Sequence, residues 1–505
     1  MIISYKSNIS IEITSLDGGN IVSIVIITVC FSKEKKYTTH SHIIMAASKK
    51  SGVLTLLHTA CGAGILAMPY GFRPFGWFPG IVILTLCGIC STIGLLLQAR
   101  VAQYTSDKNA SFFSLAQLIN PNLSIMFDLA IAIKCFGVGI SYIIVVGDLI
   151  PLILFVFTRN SLLLDRNFNI TIIMIFVISP LCFMKRLNSL RYASMVAMSS
   201  VAYLCVLVLF HYLFPSEEIK SLKGNVSYGF PTGEPSPLTT LPIFIFAYTC
   251  HHNMFSVINE QKDNTFKNVK YIAFISMLLA YILYFLIGSA GYLTFGDNIV
   301  GNVITLYPLS LSSTIGRIAI VLLVTFAFPL QCHPARASIH HIIHYCEQIK
   351  KDRGMITSND DSSNNISTDV ESQQLAITEQ ETLLAEQLVV EESIYEPQEV
   401  PLSGKRFIII TTCILIASYL VAILVRELAR VLSVVGATGS TSISFILPGT
   451  FGYKLIGSEN SNGDSTEPLS KFDKFLKFAA LCLIIWGIFV MVTSLSATLF
   501  LGASH

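Results

Sequence analysis

A succession of apolar runs, each about as long as a bilayer is thick, limits this chain more than any other feature of its sequence. A hydrocarbon core of about 30 Å takes a helix of roughly 20 apolar residues to cross it. Backbone groups inside that core must pair within the protein, because no water is there to satisfy them. Eleven runs qualify, at residues 52–70, 76–100, 123–151, 169–185, 192–214, 238–259, 271–293, 312–332, 406–426, 430–448 and 475–500. The fold class expected is an all-α membrane protein with 11 transmembrane helices. Only 13% of the residues are charged, against about 25% in a soluble domain, and the mean hydropathy is +0.65. A net charge of +2 without a polybasic face argues against nucleic acid as a partner.

Lysines and arginines flank these runs unevenly. With the N-terminus cytosolic, most of them fall on the cytosolic side, and Arg73, Arg159, Arg166, Lys220, Lys223, Arg426 and Arg430 remain on the other. Positive residues favour the cytosolic face, so the C-terminus is expected to be lumenal. The chain divides into a disordered cytosolic tail at 1–48, helices one to eight at 49–345, an acidic loop at 346–404 and helices nine to eleven at 405–501. In the tail, "IVSIVIITVCF" (Ile21 to Phe31) is too short to span and lacks the marks of a signal peptide. The loop is rich in Ser, Asn, Gln and Glu and too polar to offset its ordering entropy, so it is expected to be disordered. Its "EQETLL" fits an acidic dileucine signal for a sorting adaptor, through Glu379, Leu383 and Leu384. The sequon at Asn225 lies in a non-cytosolic loop, whereas Asn8, Asn109, Asn122 and Asn365 lie on the cytosolic side. The twelve cysteines sit mostly in apolar runs as small packing residues, with no metal-binding spacing, and no metal or cofactor is expected.

The first run, "GVLTLLHTACGAGILAMPYGF" (Gly52 to Phe72), carries Gly62, Gly64 and Pro69 where a plain anchor would carry Leu or Ala. Glycine costs about 1 kcal/mol in a helix interior and proline about 3 kcal/mol. Irregular backbone at membrane depth persists only inside protein or against a wet cavity. A break there exposes N–H donors at the start of one half-helix and carbonyls at the end of the other. The donors suit a carboxylate and the carbonyls an ammonium, so a zwitterionic amino acid matches both. The sixth run repeats the pattern: "LPIFIFAYTCHHNMFSVINE" (Leu241 to Glu260) holds the polar island Tyr248 to Asn253. Breaks in spans one and six stand five apart, as two five-helix halves of an inverted repeat would require, with the eleventh helix extra.

Four stretches, "HTACGAGILAMPY", "KCFGVGISYIIVVGDL", "FIFAYTCHHNMFSVINE" and "FPLQCHPAR", give the chain its likeness. It resembles the amino acid/auxin permease family, in its fungal-type vacuolar branch. The likeness covers the order and spacing from Ser51 to about His340, while the last three spans match by hydropathy alone. The resemblance implies the 5+5 inverted-repeat fold of sodium-coupled amino-acid transporters, with broken helices 1 and 6, and amino-acid movement across the vacuolar or lysosomal membrane. By that resemblance the span-one break, Thr59, Ala60, Cys61, Gly62, Ala63 and Gly64, would hold the substrate backbone. Phe246, Tyr248, Thr249 and Cys250 would set side-chain selectivity. Sodium-coupled relatives carry asparagine where this chain has His58, which titrates near neutral pH. The departure points to protons as the coupling ion. By resemblance Thr325 stands for a hydroxyl of the sodium site in those relatives.

Intramembrane ionisable groups are functional candidates in their own right. Lys134 lies well inside span three and could replace a bound cation or pair with a carboxylate. Asp148 lies about 21 Å further along a straight helix, out of its reach. Arg336 in "HPAR" is expected at the headgroups where span eight ends. The reading is a proton-coupled amino-acid carrier. The alternatives are an amino-acid sensor that binds without transport and, far behind, a membrane enzyme using His251 and His252.

Overall fold

Glycine, proline and wide turns decide where the apolar runs become helix. In the computed structural model, the described residues are 48–105, 110–120, 123–184, 193–231, 236–360, 403–458 and 469–500. The principal helices are α1 (Lys49–Ala60), α2 (Gly64–Phe72), α3 (Trp77–Val101) and α4 (Leu123–Leu154). They are followed by α5 (Arg166–Cys182), α6 (Ala193–Leu213), α7 (Pro237–Ala247), α8 (Met254–Glu260) and α9 (Phe266–Phe295). The last are α10 (Leu311–Asp360), α11 (Gly404–Leu424), α12 (Leu428–Leu455) and α13 (Lys471–Phe500). Among the described residues, nine helical segments are long and apolar enough to cross a membrane, and ten if the pair α1 and α2, bent by 60°, counts as one. The fourth expected span, α5, is a shorter apolar helix.

Pro180 interrupts the bonding of α5: the helix continues through it, but a wide turn, Met174–Ile178, lies directly before the proline, whose missing N–H cannot bond to the preceding turn. The ninth and tenth runs do separate at Val425–Glu427, in the short "RELAR" connection. Two further wide turns, Gly436–Ser440 and Ser442–Ile446, lie inside α12.

Arg336 is enclosed by neighbouring helices. It is 4% exposed, its Nη1 donates to Thr411 Oγ1 at 3.1 Å and to Cys182 O at 3.4 Å, and its guanidinium stacks on the Phe407 ring at 4.1 Å. Helix α10 runs past it, through Pro329 and Pro334, to Asp360. Its apolar span of 37 residues measures about 55 Å at 1.5 Å per residue, well beyond a hydrocarbon core. The rest of the acidic loop, with the dileucine signal at Glu379, Leu383 and Leu384, lies outside the described residues, as do residues 1–47 and the sequons at Asn8, Asn109, Asn122 and Asn365.

Burial separates centre from rim. The apolar windows of α4 and of the α7–α8 region are 78% and 83% buried, against 33% for α11 and for α13. On α13, Phe475, Phe478, Ile485, Phe489 and Val492 are exposed at helical spacing, the pattern of a lipid-facing stripe. Helix α10 packs along α4, α9 lies across α1, α2 and α3, and α7 is held between α2 and α12. The two broken regions therefore meet at the centre of the helical assembly.

Candidate functional site

Helical bonding in the first region ends where its glycines begin. The Cys61 N–H donates to Leu57 O at 2.8 Å, and the Gly62 N–H then turns back to Ala60 O at 2.8 Å. Bonding resumes as Ile65 and Leu66 donate to Gly62 O and Ala63 O, at 3.2 and 3.1 Å. Between these, the N–H groups of Ala63 and Gly64 find no acceptor among the described residues. They open α2, where aligned peptide dipoles place partial positive charge.

The second break is finished differently. Helix α7 stops at Ala247, Tyr248 to Cys250 are irregular, and one tight turn at His251–Asn253 precedes α8. Side chains claim the carbonyls. The Tyr284 hydroxyl donates to Ala247 O at 2.7 Å, Thr249 Oγ1 to Ile245 O at 2.8 Å, and Gln98 Nε2 to His251 O at 3.2 Å. The span-six break is therefore largely satisfied by its own surroundings, while the span-one break presents bare donors.

The breaks touch. Asn253 Nδ2 donates to Thr59 Oγ1 at 2.8 Å. A Cβ on Gly64 would lie 3.0 Å from Phe246 Cδ1 and 3.2 Å from Ala247 Cα, so glycine lets the half-helices approach closely without pressing on their neighbours. Beside this contact is a chamber lined by Thr59, Ala60, Gly62, Ala63, Phe246 and Thr249 from the breaks, with Lys134, Val138 and Tyr142 from α4 and Gln331 from α10. Its volume is about 10 Å³, close to the least that holds one water molecule. An amino acid fits only if the surrounding helices move apart.

Of the residues expected from sequence, Thr59, Ala60, Gly62, Ala63, Phe246, Thr249 and Lys134 line this chamber. The others do not. The Cys61 thiol hydrogen-bonds with Tyr284, and Gly64 backs onto Phe246. Tyr248 points to α9, meeting the Tyr284 ring edge-on at 5.1 Å. Cys250 is fully buried away from the lining. His58 is partly buried on α1 outside it, and Thr325 is buried on α10, its hydroxyl without a hydrogen-bond partner among the described residues.

Lys134 is 3% exposed, and its Nζ stands 3.1 Å from His252 Nε2, 3.3 Å from His252 Nδ1 and 3.5 Å from Gln331 Oε1. Asp148 is engaged elsewhere, with Arg166 at 3.3 Å. Val138, Tyr142 and Gln331 were not expected in the lining. The first two had a signal, since Lys134, Val138 and Tyr142 stand at i, i+4 and i+8 and share one helix face.

Comparison with known proteins adds the following. The family model described as transmembrane amino acid transporter protein matches residues 45–493. Over 458 residues the chain is 60% identical to vacuolar amino acid transporter 6 of Saccharomyces cerevisiae, covering 90% of this chain and 99% of that one. It is 53% identical over 476 residues to vacuolar amino acid transporter 5 of the same yeast, covering 91% of this chain and all of the relative, 100%. The crystal structure of MhsT in complex with L-phenylalanine shares the fold, with a TM-score of 0.52, 13% identity, and 89% of this chain and 99% of that one covered.

Proposed function

The chain belongs to the transmembrane amino acid transporter family, and from that premise we propose that it carries amino acids across the vacuolar membrane by secondary active transport. The observation that carries the site assignment is the pair of bare N–H donors, Ala63 and Gly64, beside a buried chamber between two broken helices. Donors at a half-helix N-terminus suit a carboxylate, and the chamber walls are apolar or hydroxylic apart from Lys134 and Gln331. The substrate's backbone sits against Thr59 to Gly64, and its side chain faces Phe246 and Thr249.

The chamber is too small for an amino acid as it stands, which supports alternating access: the broken helices rock against the surrounding ones to admit substrate from one side at a time. Two inverted five-helix halves with one extra helix are the arrangement such rocking calls for, and the spacing of the two breaks supports it. Protons are the coupling ion in this reading. Of the groups singled out for coupling in the sequence, His58, Lys134 and Thr325, only Lys134 lines the chamber. The lysine and arginine distribution supports a cytosolic N-terminus and a lumenal C-terminus.

Counterflow of radiolabelled amino acids in proteoliposomes, with and without a pH gradient, tests the proposal. A carrier accumulates label against unlabelled substrate, and a proton-coupled one responds to the gradient. A sensor would bind label and move none, which would overturn the transport reading.

A further inference from the structure

The cluster around Lys134 carries one step more. The lysine is buried beside the chamber, and among the described residues no carboxylate pairs with it. Its partners are the His252 ring and the Gln331 amide. Its position is fixed by close packing: a Cβ on Gly439 would lie 2.8 Å from Lys134 N and Cβ and 2.9 Å from its Cα. Gly439 belongs to a wide turn of α12, the kind of helix irregularity common at functional sites. The ammonium thus emerges at one place, against one imidazole.

Two basic groups this close and this buried cannot both be charged, because each disfavours the cationic form of the other. An ammonium there without a counter-charge is costly. Among the described residues, the other titratable groups around the pair are Cys135 on α4, Cys250 and His251 in the span-six break, Cys332 on α10, Tyr142 across the chamber, and Cys61 on the span-one side. None of them is an acid able to serve as permanent counter-ion. His251 is held by its own bond, from Nε2 to Ser91 O at 3.0 Å.

We propose that Lys134 and His252 share one labile proton, and that the carboxylate of an amino acid entering the chamber is the counter-charge that holds it there. The inference rests on the reading that the substrate occupies this chamber. It assigns the coupling proton to the Lys134–His252 pair rather than to His58. By linkage, a bound carboxylate favours the protonated pair by the same factor as the proton favours the carboxylate. Substrate and proton then load and leave together. When the carboxylate departs, the proton returns to water on the side to which the chamber is open.

The test is amino-acid binding and flux against pH in purified, reconstituted full-length protein. In the wild type, affinity should change by up to about tenfold per pH unit where the pair titrates, the slope of one linked proton. Lys134→Arg fixes the charge and should flatten that slope. His252→Gln removes the sharing partner and should displace the titration midpoint, while His58→Asn should leave slope and midpoint as in the wild type. Addition of amino acid should acidify the opposite compartment, followed with a pH dye, in wild type and not in Lys134→Arg. If Lys134→Arg does not fold, His252→Gln alone decides through the midpoint. Wild-type slope and midpoint persisting in both variants would overturn the shared proton while leaving transport intact. A wild type that binds and moves no amino acid would instead overturn the reading on which the inference rests.

Discussion

At Gly439 the difference of one methyl group separates a packed membrane helix from a displaced one. A Cβ there would press on the backbone and Cβ of Lys134, at 2.8 to 2.9 Å, where no flexible side-chain end can yield. Overpacking of this kind costs about 1–3 kcal/mol, so Gly439→Ala should lower the melting temperature of the purified protein. Gly404→Ala, at a helix start with nothing within 4 Å, should leave it unchanged. Thermal unfolding of the two variants side by side checks this. Residues of this sort divide what was legible in the sequence from what was not. Thr59, Ala60, Gly62 and Ala63 were reached from the span-one break, Lys134 from its charge in an apolar run, and Phe246 and Thr249 through the family resemblance, and they line the chamber. His252 stands in the polar island of span six, but its pairing with Lys134, like the place of Gln331, comes from helix packing that no local pattern encodes.

At the level of elements, the breaks were readable because glycine and polar residues in an apolar run conflict with helix propensity. Their unequal finish was not. The span-six carbonyls are met by Tyr284 and Gln98, which lie 37 and 153 residues away in sequence from their acceptors. The link between the breaks is equally remote in sequence: Asn253 to Thr59, a separation of 194 residues. One such hydrogen bond is worth about 1 kcal/mol, so Asn253→Ala should weaken amino-acid binding roughly fivefold, with a smaller loss for Asn253→Ser. Equilibrium binding in detergent measures it. The irregularity in α5 had its signal in Pro180, which lies directly after the wide turn Met174–Ile178.

For the whole molecule, hydropathy located the membrane helices because burial in lipid needs long apolar runs whatever their packing. It did not show how far span eight continues as helix, to Asp360, nor that Arg336 is enclosed by Thr411, Cys182 and Phe407. The proposed orientation puts the exposed Asn225 in the lumen. Glycosidase treatment of the native protein should therefore shift its mobility, and Asn225→Gln should abolish the shift; a glycan on Asn365 in its place would reverse the topology. The central claim is that a small zwitterion is held between the two broken helices, and an experimental structure with amino acid bound tests it most directly. The account predicts ligand density beside Thr59–Gly64 and Phe246–Thr249, with its carboxylate within about 3 Å of the Ala63 and Gly64 nitrogens. Density elsewhere, or an unbroken helix through Cys61–Ala63 with substrate bound, would contradict it.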